Sequence, residues 1–297
     1  MTDYIKQNGS AFSFPANGQS WVILSDIEKR IKEKIEKIGK PLKEWDINIY
    51  RGILTGCNEA FIIDKAKRDV LISKDPKSAE IIRPILRGRD IARYQINFAN
   101  LYLINTHNGI QSKNIPPVDI EEYPAVKEHL DKFWTKIENR DDQGITPYNL
   151  RSCVYMDDFF KQKIVWIELV DRPNFAFDKS GFLLSNTAYF INGENIYFLV
   201  AYLNSSLCDW QFGNICATSG AGTRRWIRQY IEQICVPIPN KKQDQEMKKI
   251  IDSITDASIS KKTQLMLEID MKIFKLFNLG NIEIKYIQES IKNDKII

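Results

Sequence analysis

The chain has 297 residues, enough for one large domain or two small ones, with 43% hydrophobic and 27% charged residues. Five scattered cysteines without a Cys-x-x-Cys pair, and only two histidines, argue against a disulfide framework and structural zinc. A net charge of +4, from 42 basic and 38 acidic residues, is too small to mark nucleic-acid binding on its own, so clustering has to decide.

The first 20 residues are polar, without periodicity, and are expected to form a flexible lead-in. Ser25 with Glu28 makes a capping box, and Ile27, Ile31, Ile35 and Ile38 follow at helical spacing. Gly39 and Pro41 stop that helix. Trp45, Ile47 and Ile49 alternate as a half-buried strand that enters a loop bracketed by Gly52 and Gly56. Glycine permits positive φ and close backbone approach, and the spacing alone reads as a bulged hairpin to the apolar run at 60–63. A short strand is expected at 70–72 and a helix at 78–86. Arg83, Arg87, Arg89 and Arg93 then form the densest arginine cluster, with Asp90 among them.

A strand at 101–104 and a loop at 105–118 follow. Asn114-Ile115-Pro116-Pro117-Val118 approaches the Asn-Pro-Pro-Tyr motif of amino-methyltransferases. The inserted Ile115 breaks the spacing, and no aromatic follows to stack on a flipped base, so the segment is not a catalytic site. Pro124 opens a helix whose face is Val126, Leu130, Phe133 and Ile137, which leaves His129 opposite Val126 as a surface residue. The polar loop 140–151 places Tyr148 between Arg140 and Arg151.

Strands are predicted at 163–166, 174–177 and 187–191. An apolar scaffold helix over 196–212 breaks near Asn204-Ser205. The loop 218–228 sets small residues before Thr223, Arg224, Arg225 and Arg228. Its Gly-x-Gly lacks the third glycine of a dinucleotide fingerprint, and no Gly-Lys-Ser/Thr makes it a phosphate loop. A strand at 235–239 ends in proline. Two helices (243–257 and 260–277) and a shorter one (282–291) follow, with Leu279-Gly280 closing the second. Leu267, Met271 and Phe274 widen the apolar surface of that second helix, which calls for more than one neighbour. The longest apolar stretch, 196–203, is too short to span a bilayer, and no signal peptide is visible; a cytoplasmic location is expected. Reduced, mostly buried cysteines are expected there.

Several stretches share one resemblance, in order along the chain. They are Gly52-Ile53-Leu54-Thr55-Gly56-Cys57-Asn58-Glu59-Ala60-Phe61, Tyr123-Pro124-Ala125-Val126, the 140–151 loop, Lys163-Ile164-Val165-Trp166, Asn186-Thr187-Ala188-Tyr189-Phe190-Ile191 and Tyr202-Leu203-Asn204-Ser205. They resemble the TaqI-like specificity domain, the DNA-reading part of type IIG restriction–methylation enzymes. The run 269–279 resembles the Leu-Tyr-x-Leu helix that ends many of these enzymes, and the region after Pro237-Ile238-Pro239 is similar to the helical part of type I specificity subunits.

The resemblance covers about residues 20–290. It implies an α+β fold: a mixed or antiparallel-sheet target-recognition domain over 21–240, then a helical spacer or docking module over 241–297. The implied partners are double-stranded DNA and a methyltransferase or endonuclease domain in cis or in trans, with no membrane. S-adenosylmethionine and Mg belong to those missing catalytic parts; none is expected in this chain, which has no proposed catalytic or metal residue.

Candidate DNA contacts are Arg87, Arg89 and Arg93; Thr223, Arg224, Arg225 and Arg228; and Arg140, Tyr148 and Arg151. A solvated, salt-bridged edge or a structural loop is the competing reading of each set. Thr55 and Asn58 are expected to stabilise their own turn. The alternatives in function are a chain with its own restriction or methylation chemistry, a separately encoded specificity subunit, and a protein-interaction module without DNA binding.

Overall fold

The computed structural model describes residues 24–216, 223–255 and 257–293; the lead-in over 1–20 and the small-residue part of the 218–228 loop lie outside them. We label the strands of the two four-stranded sheets and the helices of eight residues or more. They are α1 (Asp26–Ile38), β1 (Ile47–Arg51), β2 (Ile62–Asp64), α2 (Lys65–Lys74), β3 (Ile82–Leu86), β4 (Leu101–Ile104), α3 (Pro124–Asp131), β5 (Lys163–Ile167), β6 (Phe175–Asp178), β7 (Leu183–Leu184) and β8 (Ala188–Gly193). The C-terminal helices are α4 (Ile196–Leu203), α5 (Ser206–Gly213), α6 (Lys241–Thr255), α7 (Ile259–Leu276) and α8 (Asn281–Asn293). The fold is α+β with a helical C-terminal region.

The first sheet has the order β6-β5-β8-β1 and is antiparallel throughout. The second has the order β7-β3-β4-β2, with β7 parallel to β3 and the remaining pairs antiparallel. Alternate residues of the first sheet enter different cores. Ile164, Trp166, Tyr189 and Ile191 face a cluster shared with α1 and α4–α8. Val165, Ala188 and Phe190 face a cluster built on the second sheet, α2 and α3. Both faces are covered, which is why β5 and β8 read as continuous apolar runs.

The opening loop is not a hairpin. β1 pairs with β8, while β2 pairs with β4 in the other sheet. The chain changes sheets at Gly52 and Ile53, whose amides donate to Ala188 O (2.8 Å) and Leu184 O (2.7 Å). The strand expected at 70–72 lies inside α2, which starts at an Asp64 cap on the Lys67 amide and buries only Leu71. The helix expected at 78–86 is a 3-10 turn, Pro76–Glu80, followed by β3. Pro84 cannot donate to a helical ladder, so an extended conformation wins there.

His129 is buried, not at the surface: its Nε2–H donates to Ala60 O at 3.0 Å. Of the five cysteines only Cys208 is buried; the other four are partly exposed. The break between α4 and α5 has a clear cause. Asn204 turns its carboxamide onto β6, accepting from Phe175 N (3.1 Å) and donating to Phe175 O (2.9 Å). Asp270 of α7 then caps α5, accepting from Ser206 N (2.8 Å) and Ser206 Oγ (2.5 Å). α7 ends at Leu276, and the left-handed turn after it is held by Asn278, with a φ of 52°, rather than by Gly280. Phe274 is buried, but Leu267 and Met271 stay exposed, without the second neighbour expected for them among the described residues. Among the described residues no helix is long and apolar enough to cross a membrane.

Candidate nucleic-acid interface

β3 delivers the arginine cluster to a 3-10 turn, Gly88–Asp90. The buried Asp90 carboxylate accepts from Arg87 three times: backbone N (2.8 Å), Nε (3.0 Å) and one terminal nitrogen (2.8 Å). This pairing fixes the Arg87 fork and raises its pKa. Gly88 is pressed against β5; a β-carbon there would lie 2.7 Å from Ile167 Cγ1, and its amide donates to Thr187 Oγ1 at 3.1 Å. Arg89 is exposed and makes no ion pair among the described residues. Around these side chains lies a groove of about 550 Å³ that also takes in Asn58, Glu59, Asn186 and Thr187.

The end of β1 adjoins Asn186, which lines this groove. Arg51 Nε donates to Asn186 O at 2.8 Å, and its terminal nitrogen lies 3.4 Å from Glu168. Glu168 also binds Arg225 at 2.7 Å and holds the Arg225 pKa up. Arg225 is carried there by a two-residue strand, Arg224–Arg225, paired with Leu169–Val170. Fold topology therefore gathers Arg87, Arg89, Asn58, Asn186 and Thr187 in one groove, brings Arg51 to Asn186, and links Arg225 to Arg51 through Glu168. Thr55 Oγ1 donates to Asn58 Oδ1 at 2.7 Å, so the expected turn bonding is present.

The other candidates go elsewhere. Arg140 and Arg224 are buried cross-links, not surface groups. Arg140 donates to Thr55 O (2.9 Å), Ile137 O (3.2 Å), Asn149 O (2.5 Å) and Pro147 O, with its guanidinium 4.6 Å from the Phe61 ring. Burial pulls its pKa down. Arg224 binds Asp209 through Oδ1 (2.5 Å) and the backbone oxygen (3.1 Å). Arg93 donates to Asn204 O and lines a separate cavity with Arg172 and Asp209. The Tyr148 hydroxyl donates to Asp131 at 2.5 Å; burial and that carboxylate push its pKa up to about 12. Arg151 is exposed beside Asp142 (3.3 Å) and Arg228 beside Glu232 (2.6 Å). Thr223 is half-buried and borders the residues outside the described set.

Sequence reasoning missed Arg51, Glu168, Asn186 and Thr187 as members of one surface. The available signal was that Arg51 adjoins the 52–61 motif and that Asn186-Thr187 opens another. Among the described residues no group of three His, Cys, Asp or Glu side chains could hold a metal ion.

The family model of the TaqI-like C-terminal specificity domain matches residues 83–238. The chain belongs to this family. The TaqI-like domain here is also similar to the type II methyltransferase M.MjaIV of Methanocaldococcus jannaschii, 22% identical over 255 residues that cover 82% of each chain. Among solved structures it is similar to the type IIL restriction-modification enzyme MmeI, determined in complex with DNA. That match has a TM-score of 0.60 and 13% identity and covers 87% of this chain and 37% of MmeI. The type IIG restriction endonuclease BpuSI matches with a TM-score of 0.50 and 14% identity, over 84% of this chain and 32% of BpuSI. At these identities the likeness shows a shared fold. The chain spans about a third of the length of both solved enzymes.

Proposed function

We propose that this TaqI-like domain recognises a sequence in double-stranded DNA through the groove between the Arg87–Arg89 turn and Asn186–Thr187. Bound duplex is then positioned for adenine N6 methylation, cleavage or both, by a catalytic part in cis or in trans. The observation that carries this reading is the convergence of Arg87, Arg89, Asn58 and Asn186 on one open groove. Arginine forks pair with guanine O6 and N7, and carboxamides pair with adenine N6 and N7. The exposed Arg51, Arg225, Arg151 and Arg228 suit phosphate contacts, which position a duplex without reading it. S-adenosylmethionine and Mg would act in the catalytic part.

Binding of duplex DNA measured across salt concentrations tests the proposal. Affinity should fall steeply with salt, because each neutralised phosphate releases counterions. No binding, alone or with the cognate methyltransferase, rejects it. A second reading, in which this chain itself transfers methyl groups, draws on its likeness to M.MjaIV across most of both chains. Incubation with labelled S-adenosylmethionine and DNA separates the two, since methyl transfer by this chain alone supports the second.

A further inference from the structure

Glu168 occupies the single position between β5 and the Leu169–Val170 strand, and its backbone is held from both sides. Its amide donates to Thr187 O (3.1 Å), and its carbonyl accepts from Trp226 N (2.8 Å). The side chain is mostly covered, at 13% exposure, while the two arginine side chains it binds are open, at 44% for Arg51 and 53% for Arg225. Oε1 accepts from Arg225 and Oε2 from Arg51. Burial and the Glu168 carboxylate raise the Tyr189 pKa, and the Arg51 guanidinium sits 5.8 Å from the Tyr189 ring centre. Two exposed arginines are thus tied to one rigid carboxylate, next to the Asn186 lip of the groove.

A carboxylate in a face that binds a polyanion opposes binding through like-charge repulsion. It also competes with phosphate for the same guanidinium donors. Unselective phosphate contact must therefore displace existing ion pairs. A duplex that also satisfies the base-reading groups in the groove offsets that loss, and other duplexes do not. Discrimination is a difference of affinities and is widened by elements that weaken the wrong complex.

We propose that Glu168 is a specificity-determining positioning residue, which presets Arg51 and Arg225 and suppresses unselective DNA binding. This rests on the DNA-binding reading above. Fluorescence anisotropy of the full chain with a random-sequence duplex, over a range of salt, provides one readout. Selection from a random duplex pool followed by sequencing provides the other. Glu168→Gln keeps the shape and removes the charge. It should bind the random duplex more tightly, steepen the slope of log affinity against log salt by about one, and flatten the selected consensus. In an Arg51→Gln/Arg225→Gln background the same substitution should leave the slope unchanged.

If wild type binds DNA while Glu168→Gln keeps both its slope and its consensus, the proposal fails and the DNA reading stands. If wild type binds no DNA, both fall. Should Glu168→Gln not fold, the Arg51→Gln/Arg225→Gln pair decides. A shallower slope than wild type supports phosphate contact by these arginines, and an unchanged slope overturns the proposal.

Discussion

Gly52 and Ser185 meet backbone to backbone where the chain passes from one sheet to the other. A β-carbon on Gly52 would overlap the Ser185 carbonyl oxygen, and the residue beyond it bridges to Ser185 in parallel register. The groove is bounded by residues on both sides of this contact, Asn58 on one chain segment and Asn186 on the other. Gly52→Ala should therefore cost about 1–3 kcal/mol, the usual range for overpacking a site that cannot relax. Urea denaturation gives the value. An unchanged midpoint would show that the two segments can separate freely.

Arg140 ties four backbone carbonyls under the Gly56 turn. Arg140→Ala removes all four side-chain hydrogen bonds, although Asn149 O keeps the Gly144 amide and Ile137 O the amide of residue 140, and should cost about 3 kcal/mol. Lysine cannot reproduce the planar fork, so Arg140→Lys should recover little of the loss. Denaturant midpoints check the stability, and the DNA affinity of the folded fraction should be unaltered.

Arg89 has no ion-pair partner to lose among the described residues, whereas Arg87 also closes the Asp90 turn. Arg89→Ala should weaken DNA binding and leave the melting curve in place. If the contact is to phosphate, the salt slope should fall by about one; if to a base, the preference at one position should relax. Arg87→Ala combined with Arg89→Ala should weaken binding further. Unchanged affinity with an unchanged melting curve would remove this turn from the interface.

Burial lowers the pKa of both His107 and His129 from the usual 6.5. Above 6.5 both are neutral in folded and unfolded chains and add no pH dependence. Below it the unfolded chain takes up protons first. Stability is then lost as pH falls from 6.5 through the folded-state values, at a rate of at most about 1.4 kcal/mol per pH unit for each histidine. Urea midpoints at about pH 7.5 and about pH 5.5 should differ accordingly. His129→Gln should shrink that difference, whatever it does to stability at the higher pH.

Much of this was legible in the sequence because it is local. The Ser25–Glu28 box, the α4–α5 break at Asn204, the strands near 163 and 187 and the order of the motifs all follow from short-range spacing. Local patterning also misled. Three apolar residues at 70–72 read as a strand but lie in α2, and the spacing over 78–86 reads as a helix although Pro84 favours extended chain.

What spacing cannot state is which distant segment a strand or a charge will meet. β1 pairs with β8, across most of the domain, so the loop after it became a sheet crossing and not a hairpin. Arg224 and Arg225 show the same limit between adjacent residues of one type. On a two-residue strand successive side chains point to opposite faces. Arg224 turns inward to Asp209 and Arg225 outward to Glu168. The sequence determined that arginines would gather near small, turning residues. Only the tertiary structure decided which of them face solvent, because burial is set by neighbours contributed from elsewhere in the chain.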